Sequence, residues 1–256
     1  MQTEVHVYAF SIAANMLLSF FPFLIVAISV SRVFFDQKTT LAAIDFIFRD
    51  YFPGALSQFL HSGAHNNLPQ GRPLQIASIF LLLFTANGIF EPLEVALNHV
   101  WGIRKNRSYL RNQLVSLALI FACGSLALLS FGITALHHES MAASRVQALI
   151  ETFFLKLAAV PLAVVILILV YRFLPNGKPP LRRVIPAAIG VGLFLELLKY
   201  VNILIWPGLE DRIAREYGVF RYSVTLIFLG FLTSMLVLAG AEWAARGNRL
   251  DQQGDS

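Results

Sequence analysis

The sequence predicts an all-α, polytopic membrane protein with six transmembrane helices and an amphipathic or re-entrant helical segment between the first and second. Three observations carry this. Six long apolar stretches cover residues 7–35, 74–100, 113–136, 152–171, 184–206 and 222–245. Each is long enough, or nearly so, for the roughly 20 helical residues that cross a hydrocarbon core of about 30 Å. The chain is 57% hydrophobic and only 14% charged, with a mean hydropathy of +0.66, where soluble domains carry about 25% charged residues. Finally, the connecting loops are alternately rich and poor in Arg and Lys, the asymmetry that orients multi-pass proteins. Residues 1–256 read as one membrane domain, with 246–256 a flexible cytoplasmic tail. The longest segment outside the stretches, 36–73, is too short for an independent module with its own core.

The first stretch exceeds the roughly 7–15-residue apolar region of a signal peptide, and no basic residue precedes it, so it reads as a retained helix. Pro22 removes one backbone hydrogen bond and predicts a kink. Beyond it, Leu41, Ile44, Ile47, Phe48, Tyr51 and Phe52 recur at helical spacing, as in a helix lying at the interface. Pro53-Gly54 breaks that pattern, and a second short helix is expected through Phe59 and Leu60. His61 and His65 there are spaced i, i+4, which suits a metal. No third ligand is in view, so the pair reads as solvated, and neither a metal nor a cofactor is expected.

The second and third stretches are joined by a loop, 102–112, holding Arg104, Lys105, Arg107 and Arg111. The third contains the only cysteine, Cys123, which excludes an intrachain disulfide and reads as a buried thiol. Lys156 in the fourth reads as a snorkelling interfacial residue. Arg172, Lys178, Arg182 and Arg183 follow it, and Pro179-Pro180 restarts the chain into the fifth. Trp206-Pro207-Gly208 is expected to end the fifth with an interfacial aromatic and a turn. Arg246 and Arg249 follow the sixth.

The opposite loops are poorer in net positive charge. Residues 137–151 hold only Arg145, and Arg212, Arg215 and Arg221 lie among Glu210, Asp211 and Glu216. Arg32, Lys38, Arg49 and Arg72 are scattered in or beside the long first loop. Both termini are therefore expected in the cytoplasm. The net charge of +5 is explained by these flanking residues; no compact basic and aromatic platform for nucleic acid is present.

Ionisable groups inside spans point to function, because each costs several kcal/mol unless sheltered. Asn87, Glu91, Glu94 and Asn98 fall within roughly 60° of one face of the second helix. Two readings stand open: hydrogen bonds to neighbouring helices, or pairing with Arg104 and Lys105, on one side, and the lining of a polar cavity on the other. Glu196, Lys199 and Asn202 are spaced i, i+3, i+6 in the fifth stretch, either as a structural ion pair or as a substrate or proton site. Glu242, near the end of the sixth, is placed to snorkel or to pair with the basic loops.

The chain resembles the YihY/BrkB family of bacterial inner-membrane proteins. The matching pieces are Leu18-Ser19-Phe20-Phe21-Pro22, Ala-Leu-Asn-His-Val-Trp-Gly at 96–102, and Tyr-Arg-Phe-Leu-Pro-Asn at 171–176. Glu216-Tyr217-Gly218 and Gly240-Ala241-Glu242 follow in order. The fifth stretch departs from the pattern by carrying Glu196 and Lys199. The resemblance implies a six-helix fold with both termini inside the inner membrane, and it points to serum resistance in virulence and to lipid- or envelope-related transport. Members have carried a ribonuclease label, which the residues do not support: the cytoplasmic loops hold no clustered His and Asp. The expected role is therefore non-enzymatic. It is either a transporter of a lipid or amphiphilic solute through Asn87, Glu91, Glu94, Asn98, Glu196, Lys199, Asn202 and Glu242, or a scaffold for envelope assembly. Expected partners are membrane lipids and either further copies of the chain or an envelope protein.

Overall fold

The computed structural model describes residues 2–31, 72–104, 108–139 and 160–254. Every regular element among them is helical. Helix α1 is Gln2–Ser31, α2 Arg72–Val100 and α3 Tyr109–Glu139. Helix α4 is described over Val160–Phe173. Helix α5 is Leu181–Tyr217, and a short 3-10 turn, Gly218–Phe220, leads into α6, Arg221–Gly254. The interfacial segment expected between the first two spans lies outside the described residues, as do its His61–His65 pair, Arg145 and Lys156.

Polar side chains inside the apolar helices close on their own backbone, which is how an apolar surrounding is made tolerable. Asn15 Nδ2 donates to Ser11 O at 3.0 Å, and Ser19 Oγ donates to Asn15 O at 2.9 Å. Thr225 and Ser234 do the same toward Arg221 O and Gly230 O. Helix α1 continues through Pro22 without a break, and α2 continues through Pro92. Helix α2 ends at Val100, where Trp101 N donates to Leu97 O and Ile103 N to Asn98 O. Gly102 takes the left-handed conformation (φ +66°) that this close requires.

The apolar part of the fifth span ends at Leu209, beside Trp206-Pro207-Gly208, but the turn expected there is corrected. Helix α5 runs on to Tyr217 and stops at Gly218, whose φ is +52° and whose N–H donates to Ala214 O. A proline inside a helix removes only one donor locally. Trp206 meanwhile is buried against Tyr222, Leu226 and Leu229 of α6, and this packing carries the helix past the turn signal. Helix α6 runs past the end of its apolar part at Arg246 and is helical through Gly254.

Among the described residues, two helical stretches are long and apolar enough to cross a membrane, Leu181–Leu209 (29 residues) and Arg221–Arg246 (26 residues). Val5–Phe20, Gln113–Leu126 and Val160–Phe173 are shorter apolar helices. Helix α1 packs between α2 and α6, α6 also packs on α5, and α3 lies against α2. One core joins Ile12, Leu97, Leu119, Leu167, Val184, Val191 and Leu238, so all six described helices contribute to it. Gly240 lets α6 approach α5 and α4 closely: a Cβ there would overlap Val191 Cγ2 and sit 3.1 Å from the Tyr171 hydroxyl.

Candidate functional site

The C-terminal ends of α2 and α4 and the start of α5 meet in a polar joint. Its centre is Asn98, 8% exposed, on the last turn of α2. Asn98 Nδ2 donates to Glu94 Oε1 at 3.4 Å, a long bond, one turn earlier on the same helix. Asn98 Oδ1 accepts the backbone N–H of Asn176 at 2.7 Å. Glu94 is only 4% exposed. Beside this bond the Ile103 side chain lies 2.8 Å from where a Cβ on Gly177 would stand, so a larger residue there would make the tip of Ile103 shift. Arg172 donates to Pro179 O and closes the 174–180 bend on itself. The Tyr171 hydroxyl, buried, donates to Val237 O of α6 at 2.6 Å. Trp101 Nε1 and Asn176 Oδ1 are buried in the same region with no partner among the described residues, each costing about 1–3 kcal/mol if nothing else meets it.

The polar positions of α2 differ in exposure. Glu94 and Asn98 are buried and bonded, whereas Glu91 is exposed. Glu94 and Asn98 lie about 40° apart around the helix, and Glu91 stands about 60° from Glu94 on the flank, beyond the covered sector. Asn87 lies one turn before Glu91 on α2.

On α5, Lys199 and Glu196 form an ion pair, with Lys199 8% exposed and Glu196 half-buried. The Lys199 ammonium also lies 5.2 Å from the Tyr200 ring centroid. Asn202 is half-buried one turn further on. Glu196 stands about 22 Å along α5 from Leu181, and Glu94 about 9 Å from the end of α2. The two polar groups thus sit at different depths and are not gathered into one cluster. Glu242 is paired in a third place: Arg246 Nη2 and Nε donate to its carboxylate at 2.6 and 3.2 Å on the exposed side of α6. Chemically, a buried carboxylate beside an amide can exchange a proton or accept a polar headgroup, and a half-sheltered Lys–Glu pair can open to hold either charge.

The bonds of Asn98 to Asn176 and of Tyr171 to Val237 were missed as a site, although Asn98, Tyr171 and Asn176 all stand in the motif pieces. Their shared membership in those pieces was the signal available.

The virulence factor BrkB family model matches residues 1–255. A UPF0761 membrane protein of Chromobacterium violaceum is 23% identical over 240 residues, which cover 90% of this chain and 55% of that protein. UPF0761 membrane proteins of Xanthomonas campestris pv. campestris and Xanthomonas oryzae pv. oryzae are 24% identical over 244 residues, 93% of this chain and 56% of theirs. The chain therefore spans about half the length of the curated relatives it matches. No solved structure matches it. With a family match along nearly its whole length and helices apolar enough to cross a bilayer, the chain is a membrane protein and belongs to the BrkB family.

Proposed function

We propose that this chain moves a lipid or amphiphilic solute across, or between the leaflets of, the bacterial inner membrane. In this reading it is a six-pass helical bundle with both termini in the cytoplasm. The observation that carries it is the pair of sheltered polar groups at two depths of an apolar bundle, Glu94–Asn98 and Glu196–Lys199. Such groups are expensive in hydrocarbon and are kept where they serve a path or a partner. The sequence holds no phosphate-binding G-x-x-x-x-G-K-[ST] element, so movement is passive, ion-coupled or driven by a partner. The joint at one end of the bundle closes that end of the path, and the α5 ion pair stands further along it.

The test is reconstitution into vesicles and measurement of fluorescent-lipid translocation. Glu94→Gln and the double variant Glu196→Gln, Lys199→Gln are expected to slow it at least about tenfold with unchanged elution and thermal unfolding. Wild-type rates in both folded variants would sink the reading.

A non-transporting scaffold is the second reading. Residues 210–217 extend α5 past its apolar part, with Asp211, Arg212, Arg215 and Glu216 exposed. That charged rod suits an envelope protein partner or a second copy of the chain. A stoichiometric partner recovered from native membranes, retained by the Glu94 and Lys199 variants and lost on Arg212→Glu with Arg215→Glu, would favour it.

A further inference from the structure

We propose that the docked loops 101–104 and 176–183 form a binding surface for an anionic phospholipid headgroup. Arg104, Lys178 and Arg182 are all exposed there. They come from segments far apart in sequence, held together by the Asn98–Asn176 bond and by Ile103 seated over Gly177. No counter-charge competes for them locally in the sequence: Asp and Glu are absent from 95–138 and from 152–195. The nearest acidic group of the joint, Glu94, is buried beneath it. Glu242 on α6 is already taken by Arg246. The start of α5 adds to the same field, since Pro180 offers no side-chain cap and the first turn holds no acidic residue.

The apolar side chains beside the cluster select a lipid over a soluble anion. Leu110 and Leu114 on α3, Phe173 at the end of α4, and Leu181 and Ile185 on α5 are exposed large hydrophobics at this end of the bundle. A ligand with a phosphate head and acyl chains meets both the cations and this apolar skirt; a free phosphate meets only the former. The surface lies at the ends of α2, α4 and α5, where headgroups of the adjoining leaflet would sit. It needs neither the Glu94 nor the Lys199 group, so it stands apart from the proposed path.

The test is native mass spectrometry of the full chain in neutral detergent, offered equal phosphatidylglycerol and phosphatidylcholine. Wild type is expected to retain phosphatidylglycerol on the order of a hundredfold better. The variant Arg104→Gln, Lys178→Gln, Arg182→Gln is expected to approach parity, a loss of roughly fivefold per charge. Arg104→Lys, Lys178→Arg, Arg182→Lys is expected to keep the preference. If the neutralised triple variant does not fold, Arg104→Gln and Lys178→Gln alone should each show the fivefold fall. The proposal is overturned if wild type retains both lipids equally, if the neutralised variants keep the full preference, or if Arg212→Gln with Arg215→Gln removes it equally well. Binding of glycerol 1-phosphate as tight as that of phosphatidylglycerol would overturn the lipid assignment.

Discussion

Asn98 ties two segments 78 residues apart, using its carbonyl on Asn176 and its amide on Glu94. Leucine there keeps the size and removes both bonds, leaving the Asn176 N–H short of a partner and the buried Glu94 carboxylate with one bond fewer. Asn98→Leu is expected to cost about 2–3 kcal/mol, read as a lower midpoint in thermal or SDS unfolding. Tyr171→Phe removes one buried bond whose acceptor still belongs to a helix ladder, so the expected loss is smaller, about 1 kcal/mol. The two residues are not in one bond network, so the losses should add within about 0.5 kcal/mol; strong coupling in the double variant would contradict the separate roles. Glu94 and Asn98 were legible in the sequence because polar residues interrupting an apolar run at helical spacing must find shelter. The partner of Asn98 was not legible, because the Asn176 N–H reaches it only through the tertiary packing of α4 and α5 on α2. Glu91 shows the converse: periodicity gives its angle on the helix but not where the covering neighbours end.

At the scale of elements, local signals and packing compete. Pro207-Gly208 reads as a stop, yet α5 runs on because Trp206 is anchored on α6 and Leu209, Glu210, Arg212, Ala214, Arg215 and Glu216 beyond the pair are good helix formers. The stop is instead at Gly218, where the backbone turns left-handed. The helices themselves were legible from apolarity, and Gly102 and Gly218 lie where the structure needs them. The close approach of α6 to α5 was not, since small residues mark a contact only once the facing helix is known. Gly240→Ala is expected to destabilise by about 1–3 kcal/mol through overlap with Val191. Val191→Ala in the same chain should recover part of the loss, giving a favourable coupling in a double-mutant cycle. No loss on Gly240→Ala would mean that α5 and α6 are further apart than described.

For the whole molecule, the polar joint, the basic loops above it and the Lys199–Glu196 pair acquire meaning only from the side of the membrane that each faces. The loop charges predict an orientation with the basic loops in the cytoplasm, and the common end shared by α2, α4 and α5 agrees with helices that alternate in direction. The most direct measurement places two positions at opposite ends of α5. In a Cys123→Ser background, Lys178→Cys and Arg212→Cys are introduced singly, and spheroplasts are treated with a membrane-impermeant maleimide. Arg212→Cys is expected to label in intact spheroplasts, and Lys178→Cys only after permeabilisation. Labelling of both positions from the same side would contradict the crossing of α5, and with it the path and the leaflet assigned to the basic surface.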